Sequence, residues 1–252
     1  MKLLAGLPAA LLLAGCAALP PAPAVDGPVD AVGRSPWARQ SAGATEGAWI
    51  HQAFPGKKPT SFRYVRVDDR DAIAVHAHAS ASMLRNDLRL EPQDLGSLRF
   101  SWKVPALLEG ADLASRDRDD AAVRLVLVFE GDRSRFSARD AALSELVRAL
   151  TGEELPYATL MYVWCNQRAP GTVIRSPRTE RIRKLVVESG PGRLDRWLDY
   201  ERDIRADYQK VFGEAPGALV GVGLMTDSDN TRAQARAWYG PVTLQGVPPA
   251  LR

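Results

Sequence analysis

From residue 61 onward, apolar side chains recur at every second position in short runs, the period of a half-buried β-strand. Residues 61–67, 72–80, 98–104, 123–130, 159–165, 182–189, 218–226 and 237–244 read as strands. In 72–80 the shared face carries Ile73, Val75, Ala77 and Ala79; in 98–104 it carries Leu98, Phe100, Trp102 and Val104. The segment 123–130 is almost continuously apolar, as a central strand would be. Turn signals separate the runs, Asp68-Asp69-Arg70-Asp71 among them. Two segments change period. Residues 140–150 place Ala142, Leu143, Leu146, Val147 and Leu150 on one helical face, with Gly152 as a stop. Residues 199–212 put Ile204, Tyr208, Val211 and Phe212 at helical spacing before Gly213. Many short strands with two short helices predict an all-β chain, mainly β, folded as a sandwich or barrel. The helices are long enough to cover a sheet edge or cap one end.

The first residues follow a different pattern. Met1-Lys2 precedes an apolar run over residues 3–13. One positive charge before a short apolar segment is the layout of a secretory signal. The run is too short to cross a bilayer, which takes about 20 apolar residues. It ends in Leu13-Ala14-Gly15-Cys16, which resembles the bacterial lipobox. The resemblance implies that residues 1–15 are removed and that Cys16 is acylated. The next residue is Ala17 and not Asp, which by the same resemblance favours the outer membrane, with the protein lipid-anchored in the periplasm. Residues 16–41, rich in Pro, Ala and Gly, read as an extended tether. Trp37 marks where packing could begin, and 42–252 is expected to form a single β-sandwich domain.

Charge changes this picture little. The formal net charge is +3, with acidic residues interspersed among the arginines. That balance excludes a strong field for nucleic acid. The chain has 2 cysteines. With Cys16 taken by lipid, Cys165 has no partner, so no disulfide framework is expected. It ends the strand-like run Leu160-Met161-Tyr162-Val163-Trp164-Cys165 and reads as a buried thiol.

Candidate chemistry gathers in two acidic stretches. Asp119-Asp120 precede the 123–130 strand, and Arg124 lies inside it, where a buried charge must be paired. Asp227-Ser228-Asp229-Asn230-Thr231 follow the 218–226 strand. Asp119, Asp120, Asp227 and Asp229 could ligate a hard cation such as Ca²⁺. The second stretch is not an EF-hand, because Arg232 and Trp238 stand where that loop needs Gly and Glu. The alternatives are an Asp–Arg pair that fixes one loop and a solvated turn in the other. If both stretches share one end of the sandwich, Asp119, Asp120, Arg124, Asp227, Asp229 and Asn230 form one polar site. Tyr162 and Trp164 would line it only if their strand face points there. His76 and His78 share a strand face, but zinc needs a third ligand and nothing places His51 nearby. Motifs of hydrolases, metalloproteases and nucleotide-binding proteins are missing from the sequence.

Several blocks recur in order: Ser80-Ala81-Ser82, Trp102, Asp119-Asp120-Ala121-Ala122-Val123-Arg124, Tyr162-Val163-Trp164, Asp207-Tyr208, Phe212-Gly213, Met225-Thr226-Asp227-Ser228-Asp229-Asn230-Thr231 and Tyr239-Gly240. Together, over residues 49–244, they resemble a family of uncharacterised bacterial proteins, domain of unknown function 3047. The resemblance implies a jelly-roll-like β-sandwich similar to carbohydrate-binding and galactose-binding-like domains, and implies little chemistry. The expected function is a lipid-anchored envelope module that binds a glycan or saccharide, with no catalysis required. One alternative is a glycan-acting hydrolase or lyase using carboxylates drawn from Asp120, Asp227 and Asp229. The other is a structural or assembly lipoprotein.

Overall fold

The structure, a computed structural model, describes residues 30–41 and 49–246. The leader, Cys16 and the first part of the tether lie outside the described residues. Numbered in chain order, the strands form two sheets. One has seven strands in the order β1 (Trp49–Ala53), β4 (Ala81–Leu90), β11 (Leu219–Asp227), β6 (Ala121–Phe129), β7 (Ala158–Cys165), β9 (Ile182–Ser189) and β8 (Val173–Arg175). The other runs β10 (Leu198–Asp203), β5 (Ser97–Lys103), β12 (Gln234–Tyr239), β3 (Arg70–His78) and β2 (Ser61–Val67), with β13 (Thr243–Gln245) also on β5. Neighbours are antiparallel apart from β7 and β9, which run parallel.

The sheets face each other over one apolar core, so the fold is a β-sandwich. Period-two alternation sends Leu98, Phe100 and Trp102 inward from β5, Leu125, Leu127 and Phe129 from β6, and Leu160, Tyr162 and Trp164 from β7. Each such side chain contributes roughly 1.5–3 kcal/mol on burial. A smaller cluster lies on the outer face of the seven-stranded sheet, where Leu113, Val163, Cys165, Ile174 and Val186 pack together. Strands β6 and β7 are thus partly covered on both faces. That explains the continuous apolar run in β6 and buries the Cys165 thiol. No helix among the described residues is long and apolar enough to cross a membrane.

Several expectations change. Residues 30–41, placed in the tether, form two short helices, α1 (Asp30–Gly33) and α2 (Pro36–Gln40). Ser35 caps α2 by accepting from the Ala38 N–H, and fully buried Trp37 packs on Trp49 at 4.9 Å. The apolar ring drives this stretch onto the sandwich. Residues 199–212 are not one helix. Leu198 and Tyr200 alternate inward as β10, and Asp203 then caps α4 (Ile204–Phe212) by accepting from the Ala206 N–H. The 237–244 run breaks at Pro241, which has no N–H for a ladder, into β12 and β13.

The long helix α3 (Ala138–Thr151) lies where expected, capped by Ser137 and ended by Gly152 at φ 79°. Its apolar face is only partly turned inward: Leu143 and Val147 are half-buried. Asp140 and Ser144 are its buried residues, while Leu146 and Leu150 are exposed. Asp140 is anchored by the Thr179 hydroxyl, which donates to Oδ1 at 2.5 Å.

Candidate functional site

The two acidic stretches converge, because β6 and β11 are antiparallel neighbours and Asp227 pairs with Ala121. The charge between them is Arg124, only 2% exposed. Its Nε donates to Asp227 Oδ1 at 2.8 Å and its Nη2 to Oδ2 at 2.9 Å. The same Nη2 donates to the Asp119 carbonyl at 2.8 Å and to its Oδ1 at 3.0 Å. Asp227 Oδ1 also accepts the Ala121 N–H at 3.0 Å. Lys184, buried on β9, donates to Asp119 Oδ2 at 2.5 Å and to the Leu113 carbonyl at 2.7 Å.

The second loop closes on the first. Asp120 Oδ1 accepts from the Asn230 backbone at 3.2 Å and side chain at 3.0 Å. Its Oδ2 accepts the Thr231 N–H and hydroxyl, both at 2.6 Å. Asn230 Nδ2 also reaches the Asp119 carbonyl, and Asp229 pairs with Lys57. Tyr239 supports the strands beneath, donating to the Met225 carbonyl at 2.7 Å and accepting the Arg124 N–H at 3.1 Å.

Burial sets the protonation behaviour. Desolvation pushes the Asp227 carboxyl up to about 6, against the pull of Arg124. Desolvation and the nearby Arg124 charge bring the Lys184 amine down to about 8. Burial also acts to raise Asp119, but Arg124 and Lys184 outweigh it and hold that carboxyl below its ordinary value.

One oxygen each of Asp120, Asp227 and Asp229 lies within 4.8 Å of the others, an arrangement that could hold a cation. The donors already in place argue for a structural role. Ca²⁺ takes 6–8 oxygens, whereas these oxygens accept from Arg124, Asn230, Thr231, Lys57 and backbone N–H groups. Asp120 and Asp227 are also buried instead of facing a cleft, as glycosidase carboxyls must. The arrangement is a closed ion-pair network that ties both loops to the sheet.

Tyr162 and Trp164 do not join it. They leave β7 on the face opposite Met161 and Val163 and are sealed in the core. The Tyr162 hydroxyl donates to Asp207 at 2.8 Å and Trp164 Nε1 to the Gly190 carbonyl at 3.0 Å. His76 and His78 are exposed together on β3, while His51 lies in the other sheet, 2.8 Å from the Ser82 hydroxyl. The reading of the sequence missed Lys57, Lys184 and Tyr239. For Lys184 the signal was masked, because it follows Arg181 and Arg183 and reads as one of three cations at the start of the strand and not as a single charge in an apolar run.

A concave feature lies further along the same outer face, beyond the network. A cavity of about 790 Å³ is bounded by β4, β11, β6 and β7 below and by Val147, Leu150 and Thr151 of α3 at one side. Met83, Met161, Met225, Val126 and Val128 line it. Its charged residues are matched: Arg85 with Asp87 and Glu153, Arg133 with Glu154, and Glu130 with Arg89. A second cleft of about 670 Å³ lies by the six-stranded sheet, with Arg99, Asp199, Tyr200 and Glu201 on its wall.

Comparison with known proteins locates the chain. The model of the family "Protein of unknown function (DUF3047)" matches residues 47–243. No curated protein matches it in sequence. Among solved structures it is similar to the xyloglucanase domain of NopAA, a type three effector from Sinorhizobium fredii, in complex with cellobiose. That likeness covers 80% of this chain and 94% of the other, at 10% identity and a TM-score of 0.39, too low to bear on function.

Proposed function

The chain belongs to the DUF3047 family of proteins of unknown function, and we propose that it serves as a non-catalytic binding module of the cell envelope, taking its ligand in the cavity beside α3. The cavity carries this reading. Its volume of about 790 Å³ falls in the usual range of small-ligand sites, roughly 300–1,000 Å³, and its floor is built on paired strands instead of mobile loops. Among the described residues, the acidic ones on its wall, Glu130, Glu153 and Glu154, are each held in an ion pair, which favours binding over acid–base catalysis there. The leader pattern and Cys16 support a lipid anchor, and Ala17 supports the outer membrane. More than one acyl chain makes such an anchor stable.

Native mass spectrometry of the full chain extracted from membranes tests the site. The wild-type protein is expected to carry a bound mass that Val220→Phe, which fills the cavity from a half-buried position, does not carry. Equal masses in both, or none in either together with no thermal shift against any compound offered, would remove the cavity as the site. Cys16→Ser should abolish lipid labelling and membrane association; retention of both would remove the anchor.

A saccharide ligand has its own support in the second cleft. There Asp199 and Glu201, ion-paired with Arg70 and Arg99, keep carboxylate lone pairs that can accept from hydroxyls beside the half-buried Tyr200 ring, which is stacked on Phe100. Saccharide binding lost in Glu201→Ala but kept in Val220→Phe would assign the ligand to that cleft.

A further inference from the structure

We infer that the ligand of the α3 cavity is a hydrocarbon chain, uncharged along the length it buries, and that α3 is the flap closing on it. The inference rests on the cavity being the ligand site. Of the chain's 4 methionines, the three beyond Met1 line this one cavity. Met83 and Met225 face each other directly across β4 and β11. Thioether side chains are flexible and polarisable, so they suit a surface that must fit a mobile apolar guest. Two residues along β11 from Met225, opposite Arg85, stands Gly223, where a Cβ would collide with the Met83 sulfur. The missing side chain leaves a trough across the sheet, and Met83 lies in it as a movable plug.

Charge points the same way. Each charged side chain on the cavity wall already has an opposite partner, so the site presents no unmatched charge to a ligand. Its complement is an uncharged, apolar body. A sugar ring would need an open aromatic face. Of the rings on the cavity wall, Tyr157 is covered by the Arg181 guanidinium at 3.8 Å and stacked on Phe136, and buried Phe129 packs edge-on against Tyr208, which leaves half-buried Phe54 alone to meet a ligand.

The exposed side of the helix completes the case. Among the described residues, the exposed large hydrophobics are Ile50, Leu146 and Leu150, at 49%, 55% and 69%. Leu150 lies on the cavity wall, Leu146 on the same helix, and Ile50 opposite Arg85 on the edge strand of the same sheet. Asp140, held by Thr179, and half-buried Leu143 keep α3 on the body, which leaves Leu146 and Leu150 to cover a chain beside them.

The test uses the full chain carrying Cys16→Ser, so that its own lipid cannot occupy the site. N-phenyl-1-naphthylamine, an uncharged fluorescent probe, is expected to bind and to be displaced stoichiometrically by glycerol monopalmitate. Met225→Gln with Leu150→Gln, both at partly exposed positions, should weaken that binding about tenfold or more while leaving the melting temperature nearly unchanged. Cello-oligosaccharide binding that these variants abolish, with no displacement of the probe by the lipid, would overturn the hydrocarbon assignment and leave the cavity as the site. Probe and lipid binding insensitive to both substitutions, or no binding of any of the three compounds, would overturn the cavity as well.

Discussion

Arg124 and Asp227 meet fork to fork across neighbouring strands, at 2.8 and 2.9 Å, with only 2% and 4% of their surfaces exposed. The pair turns two acidic loops that resemble a ligand site into a fixed corner of the sandwich. The Asp119, Asp120, Asp227, Asn230 and Thr231 side chains of the two turns are consumed in holding the ends of β6 and β11 together, while the buried Ser228 hydroxyl has no hydrogen-bond partner.

Breaking the pair on one side should therefore be costly. Arg124→Met leaves Asp227 and Asp119 buried without their main partner and is expected to destabilise the fold by about 3–5 kcal/mol. The double variant Arg124→Met with Asp227→Leu should recover much of that loss. Urea unfolding of the three proteins measures both numbers. A single-variant cost below about 1 kcal/mol would show that the pair does not hold the corner.

The network also predicts opposite pH slopes at its two ends. Asp227 has a folded pKa of about 6, above its ordinary 3.8, so the folded state binds more protons than the unfolded one between those values. Its contribution to stability is complete below about 3.8 and is lost as pH rises through about 6. Lys184 has a folded pKa of about 8, below 10.5. Its contribution is complete above about 10.5 and is lost as pH falls through about 8. Asp227→Asn should remove a falling slope in the acid window and Lys184→Met a rising slope in the alkaline one, each about 1 kcal/mol per pH unit. Unfolding free energies measured across both windows would disprove the assignment if the variants kept the wild-type slopes.

Calcium should matter little. A cation at Asp120, Asp227 and Asp229 must first displace Asn230, Thr231, Arg124 and Lys57 from their oxygens. Saturating Ca²⁺ or excess chelator is expected to move the melting temperature by less than about 1 °C. A rise of several degrees with Ca²⁺ would mean that the loops open to receive it.

Tyr162 separates core from site. Tyr162→Phe removes the hydroxyl that donates to buried Asp207, while Arg202 keeps its two bonds to that carboxylate. The expected cost is about 1–2 kcal/mol with ligand affinity unchanged. A loss of affinity at unchanged stability would return Tyr162 to the binding surface.

Much of the sandwich was legible because period-two alternation is a local property of the chain. Leu98, Phe100 and Trp102 announce their strand without any neighbour. Strand β4 was missed because Arg85, Asp87 and Arg89 break its apolar pattern, although their carbons and charges sit on a solvent-facing surface where they cost little. Strand β10 was taken for helix because Leu198 and Tyr200 are followed at once by a helical spacing, and only the Asp203 cap divides the two. Of the candidate site, the pairing of Arg124 was foreseen, since a charge inside an apolar strand needs a partner. Lys184 was hidden behind Arg181 and Arg183, which make its charge look like one of a solvated group.

The sequence alone determines the strand-rich class of this protein, the stops at Gly152 and Gly213 and the need to pair Arg124. Each follows from nearest-neighbour chemistry: side-chain period, backbone freedom, or a charge among apolar residues. Only the tertiary structure decides that the acidic loops meet and neutralise each other, that Tyr162 and Trp164 face inward, and that α3 leaves Leu146 and Leu150 exposed. Those outcomes depend on which strands become neighbours and on which face of each sheet is covered. Alternation along one strand defines two faces but does not say which of them meets another sheet, a charge or an open cavity.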